Sequence, residues 1–157
     1  MEKSAQYAHT QSGTAILWSL AAAAIIVVAS LALTTRATGG IGALPAPALA
    51  IVGMVLVILL ATAVVFSRLN VRVDNGELSW RFGLGFLEHK VPLSDIVSAD
   101  VVTNPIWAGF GVRRLPNAWL YNVSGRRAVE LVTRDGRRVR IGSDEPEALL
   151  QAVGGRR

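Results

Sequence analysis

The 157-residue chain has no cysteine, which excludes disulfides, thiolate nucleophiles and Cys-ligated zinc or iron–sulfur clusters together. Histidine is nearly absent too: His9 and His89 are the only two, and neither has a carboxylate or second histidine at a spacing that would make a base or a metal centre. Charge is thin. Only 17% of residues are Asp, Glu, Lys or Arg against 52% hydrophobic, a balance too apolar for one ordinary water-soluble domain. Apart from Arg36, no charged residue occurs between Thr10 and Ser67.

That uncharged stretch reads as two membrane spans. Thr14 to Thr34 would form a helix of roughly 32 Å, enough to cross a hydrocarbon core of about 30 Å. Its apolar core is longer than that of a secretory signal, so we expect a retained helix. Leu44 to Phe66 is the second span, with Pro45 and Pro47 at its entry, where a missing amide hydrogen costs little. The short connection TRATGGIGA predicts an antiparallel hairpin. Lys3, Arg68 and Arg72 flank its outer ends and Arg36 alone lies in the connection, which predicts both termini in the cytoplasm. Neither span carries an ionisable group, so transport by this chain alone is not expected. Small residues such as Ser19, Ala22, Ala50 and Gly53 suit either close helix contact or plain lipid exposure.

After Ser67 the pattern changes from continuous to alternating. Leu69, Val71 and Val73 alternate with polar residues, as do Leu78, Trp80 and Phe82, and Asn75-Gly76 stands between the two runs. A type I′ turn there pairs Val73 with Leu78, Val71 with Trp80 and Leu69 with Phe82, placing every apolar residue on one face. Further strands are expected over Phe86 to Val91 and Ile96 to Thr103, with His89 as a half-buried packing residue. For the last hairpin the pattern selects a three-residue loop, Arg134-Asp135-Gly136, because this pairs Leu131 with Val139 and Val129 with Ile141. Such a loop combines a type I turn with a G1 bulge and puts Gly136 in the left-handed region. Asp144 with Glu147 reads as the capping box of a short C-terminal helix with Leu149, Leu150 and Val153 on its apolar face, ended by Gly154. Asn122-Val123-Ser124 matches a glycosylation acceptor, but after the strand Trp119 to Asn122 it reads as a turn.

The segment from Asn104 to Val153 resembles the C-terminal part of a family of bacterial membrane proteins with a pleckstrin-homology-like domain. The matching residues are Gly109, Gly111 and Arg113, then Trp119 to Gly125, Ala128 to Glu130 and Ile141 to Pro146; the chain departs at Ala118 and Ser143, where the family more often has Gly and Thr. The resemblance implies a membrane α-helical hairpin followed by a small, mostly antiparallel β barrel or sandwich with a C-terminal helix, and it implies no activity. The expected organisation is therefore an N-terminal cytoplasmic tail over 1–13, a two-helix transmembrane hairpin over 14–67 and a cytoplasmic domain over 68–157.

Asn104 to Ala118 is the least regular stretch, and long irregular loops often carry function. Trp107 and Phe110 beside Arg113 and Arg114 suit a headgroup or an anionic partner; the alternative is that the aromatics cover one end of the barrel. Arg126, Arg127, Arg137, Arg138 and Arg140 add a basic cluster, although Glu130, Asp135 and Asp144 are interspersed, so nucleic acid is not an expected partner. Gly109-Phe110-Gly111 lacks the context of a dinucleotide motif. The expectation is a non-catalytic interaction module, without cofactor or metal, in the bacterial cytoplasmic membrane. It would bind a protein partner, itself or anionic lipid headgroups, or serve as an accessory subunit of a larger membrane complex such as a transporter.

Overall fold

The structure is a computed structural model and describes residues 7–85 and 87–154. Its elements in chain order are β1 (Tyr7–Ser12), α1 (Thr14–Thr38), α2 (Ala46–Val65), β2 (Arg68–Asp74), β3 (Glu77–Phe82), β4 (Leu87–Pro92), β5 (Ile96–Thr103), β6 (Gly111–Arg114), β7 (Trp119–Asn122), β8 (Arg127–Thr133), β9 (Arg138–Gly142) and α3 (Pro146–Ala152). Both α1 and α2 are long and apolar enough to cross a membrane, and neither contains a buried residue. The second helix starts behind Pro45 as expected, and the first runs on to a left-handed Gly39 cap.

The strands form a four-stranded sheet in the order β1-β2-β3-β4 and a five-stranded sheet in the order β5-β8-β9-β7-β6. All pairings are antiparallel except β7 with β9. The inward faces share one core, in which Leu69, Val73, Leu78 and Phe82 from the first sheet meet Val129, Leu131 and Ile141 from the second, and Leu149 of α3 seals it. Of the expected barrel or sandwich, the two mostly antiparallel sheets and the C-terminal helix are present, and no closed barrel is found among the described residues. Among the described residues β4 pairs only with β3, and a 3-10 turn at Leu93–Asp95 diverts the chain before β5 begins in the other sheet.

Both hairpin registers are as the residue pattern dictates. Asn75 and Gly76 both have positive φ, 50° and 77°, and Leu69, Val71 and Val73 face Phe82, Trp80 and Leu78. Leu131 faces Val139 and Val129 faces Ile141, with Gly136 at φ 81° and its amide donating to the Thr133 carbonyl. The Phe86 start expected for the third strand lies outside the described residues, as does Lys3 of the orientation argument.

Part of the stretch expected as a tail, residues 7–12, is built into the sheet. Tyr7–Ser12 is a strand, paired antiparallel with β2 from Tyr7↔Val73 to Ser12↔Arg68. The two helices are therefore inserted into a β-hairpin at the position of its turn. Only Gly13 lies between β1 and α1 and only Phe66 and Ser67 between α2 and β2, and both junctions are tied: the Gly13 amide donates to the Ser67 carbonyl at 2.8 Å, and the Phe66 ring packs edge-on against Phe82 with centroids 5.1 Å apart.

The C-terminal helix also differs from expectation. Asp144 does not cap it; its carboxylate pairs with His9 Nε2 at 2.5 Å, and Glu147 pairs with Arg127. The Ser143 hydroxyl accepts the Glu145 amide instead, at 3.0 Å, and the α-helix begins at Pro146. Both acids are drawn away by side chains distant in sequence, partners that a local capping motif cannot register.

Candidate functional site

Strand register divides the domain into a helix-proximal end and a distal end. At the proximal end lie the first residues of β2, the β3–β4 turn and the β5–β6 loop. Gly83 in that turn sits against the last turn of α2, where an added Cβ would come within 2.6 Å of the Val65 carbonyl oxygen. Gly111, which ends the β5–β6 loop, lies beside the Phe66 ring. The β7–β8 turn joins them, since Ser124 accepts from Gln11 Nε2 at 2.9 Å through its carbonyl and meets the Thr14 hydroxyl at 3.5 Å. Asn75-Gly76, the β6–β7 turn and the β8–β9 loop occupy the distal end.

The stretch Asn104–Ala118 is more regular than its composition suggests. Ile106–Ala108 is a 3-10 turn and Gly111–Arg114 is β6, with Ala108 packed beside Leu115 and Leu120 on the outer face of the second sheet. Trp107 is exposed and Phe110 half-buried. Arg113 folds back so that Nε donates to the Phe110 carbonyl at 3.0 Å, and Arg114 lies over the Trp119 ring, 6.0 Å from its centroid.

The basic residues predicted as one cluster are separated. Arg126 and Arg127 precede and open β8 at the proximal end, whereas Arg137 and Arg138 follow the distal loop, about 20 Å along the strand pair. Four of them pair with carboxylates: Arg127 with Glu147, Arg137 with Asp135, and Arg138, at 3.4 Å, together with Arg140 Nε, at 2.6 Å, with the single carboxylate of Glu130. Among the described residues Arg113, Arg114 and Arg126 have no carboxylate within ion-pair range. Arg126 Nε donates to the Asn104 carbonyl at 3.1 Å.

Between β4 and β7 the two sheets part, leaving a cleft of about 550 Å³. Trp80, His89, Trp119 and Tyr121 line it, with Lys90, Arg134 and Arg137 at its edge. His89 is exposed here, not half-buried: its ring stacks on Trp80 at 5.6 Å and meets Tyr121 edge-on at 4.9 Å, because β4 stands at the sheet margin. Burial pushes the Tyr121 phenol above its ordinary range, against the opposing pull of Arg137, so at neutral pH it faces the cleft as a neutral donor. Nothing in a linear pattern marks this site, which arises only where β4 fails to join the second sheet. No family model, curated protein or solved structure matches the chain, so the fold and its sites rest on these residues alone.

The loop below this cleft carries a pH signature. Asp135 accepts from Thr133 Oγ1 at 2.6 Å and from the side chain and amide of Arg137, and these bonds hold its carboxyl at about 2. A folded value below the ordinary 3.8 means that its support is present at neutral pH and is lost only as the pH falls toward 2. A carboxyl NMR titration of the full chain in detergent should give a midpoint near 2 for Asp135; a midpoint near 3.8 would exclude this loop geometry.

Proposed function

We propose that the chain is a membrane-anchored, non-catalytic interaction module of the bacterial cytoplasmic membrane, with a pleckstrin-homology-like domain held against the inner leaflet. The observation that carries this reading is the pairing of β1 with β2 across the helix hairpin. A strand pair cannot straddle a bilayer, so if α1 and α2 cross it, the N-terminal strand and the C-terminal domain share one side, in agreement with the flanking cations. A domain tied at both strands cannot swing away. Its proximal end must meet headgroups, and its distal end, with Arg113 and Arg114 on the adjoining β6 strand and the open cleft beside β4, is left to a partner or a second copy.

Crosslinking in intact membranes tests this. A photoreactive residue at Pro116, exposed on the β6–β7 turn, should capture a partner, and Arg113→Ala with Arg114→Ala in the same full-length chain should reduce the adduct severalfold. An adduct that survives both substitutions would remove these arginines from the interface.

One observation favours the second reading, an accessory subunit held mainly by its helices. Gly53 of α2 has open space where its side chain would be, so the α1–α2 contact does not use it and a further helix has room to approach. Under this reading residues 13–67 alone co-purify with the larger complex.

A further inference from the structure

We propose that the proximal rim of the domain is itself inserted in the bilayer, with Leu84 of the β3–β4 turn and Ile106 and Trp107 of the β5–β6 loop forming an apolar wedge around the exit of α2. This inference rests on the reading of α1 and α2 as spans. The large apolar side chains of the domain are mostly enclosed, and among the described residues its three most exposed are these: Ile106 at 80%, Leu84 at 79% and Trp107 at 67%. They belong to two loops that are 22 or more positions apart in sequence and that both sit at the helix end. An exposed apolar group at one end of a water-facing domain signals a partner surface, and the location of this one identifies the partner.

Gly83, immediately before Leu84, rests on the carbonyls of Val64 and Val65, so the turn lies alongside α2 as that helix leaves the hydrocarbon. A protein docking on Leu84 would have to lie within the headgroup layer, whereas lipid is already there. Arg68, the first residue of β2, and Arg126, beside the β5–β6 loop, are exposed and have no carboxylate within ion-pair range among the described residues. They stand at the same level as the wedge and complement anionic headgroups. An indole at an interface and cations just above it form the pattern by which peripheral segments settle at the headgroup and acyl boundary.

The absence of native cysteine makes the test direct. Nitroxide labels are placed singly at Leu84→Cys, Ile106→Cys and Trp107→Cys in the full chain, reconstituted in vesicles of phosphatidylethanolamine and phosphatidylglycerol. Leu60→Cys on α2 and Ser94→Cys at the distal end serve as references. Collision with oxygen against an aqueous nickel chelate should place the three rim labels about 5–10 Å below the phosphates, with Ser94→Cys fully in water. Rim labels freely reached by the chelate, while the Leu60→Cys label is shielded in hydrocarbon, would overturn the wedge and leave the spans intact. Chelate access to Leu60→Cys would overturn the span reading and the wedge with it.

Discussion

Replacing residues 13–67 with Asn-Gly should convert the chain into a water-soluble, monomeric domain, whereas residues 68–157 alone should fail to fold. The expectation follows from one register. Ser12 faces Arg68 in the same way that Asp74 faces Glu77, and Asn75-Gly76 already closes the latter pair with both residues at positive φ. A second Asn-Gly therefore closes the first pair without shifting any inward residue, since a two-residue type I′ loop joins directly opposed positions. What is lost is the Phe66 ring against Phe82, a partly buried contact worth about 1–2 kcal/mol. Omitting β1 costs far more. Six paired positions disappear, Gln11 leaves the Ser124 carbonyl and His9 leaves Asp144. At roughly 1 kcal/mol per ladder hydrogen bond, this takes several kcal/mol from a domain whose total stability is on the order of 5–15 kcal/mol. It also bares the edge of β2, which becomes a template for aggregation. Size-exclusion chromatography and thermal melts of the two proteins decide the matter. Equal solubility and equal melting temperatures would show that β1 is dispensable; an Asn-Gly protein without a cooperative melt would refute the inserted-hairpin topology.

The two hairpin registers were legible because a period of two, read together with turn chemistry, is a local property. Val129, Leu131, Val139 and Ile141 leave only one loop length that puts all four inside. The strand Tyr7–Ser12 was not legible for the converse reason: only Gln11 is fully buried in it, its alternation is polar, and its partner lies beyond two helices. The capping box failed on the same ground, since His9 and Arg127, both far away in the chain, compete successfully for Asp144 and Glu147. For the candidate sites, residue type identified Trp107 but overlooked Leu84 and Ile106, because a single exposed aliphatic residue is ordinary until its place beside a helix exit is known. Arginine doublets suggested a cluster that strand geometry then split between the two ends. The parallel pairing of β7 with β9, which brings Trp119 and Tyr121 alongside Val139 and Ile141, depends on a crossover that no local pattern encodes.

The junction between helices and domain makes the strongest demand on single residues. Gly13 leaves no room for a side chain: a Cβ would stand 2.3 Å from the Phe66 carbonyl oxygen and 3.0 Å from that of Ser67. Gly83 combines two obstacles, a φ of +49° and carbonyl oxygens of Val64 and Val65 at 2.7 and 2.6 Å from the missing Cβ. Neighbouring backbone cannot rotate aside as a flexible side chain would. Strain at a left-handed position and overpacking each cost roughly 1–3 kcal/mol, so Gly83→Val should destabilise by about 2–6 kcal/mol and prise the β3–β4 turn away from α2. Gly13→Val should have a comparable effect through the β1–β2 ladder. Gly42→Ala in the connection between the helices, where nothing lies within 4 Å, should be neutral to within about 0.5 kcal/mol. Thermal melts of the three variants in detergent, with protease sensitivity at Ser67 as the local readout, measure both effects. If Gly13→Val and Gly83→Val melt and digest like Gly42→Ala, the helices are joined to the domain by a flexible neck, and a domain on such a neck has no fixed face toward the lipid.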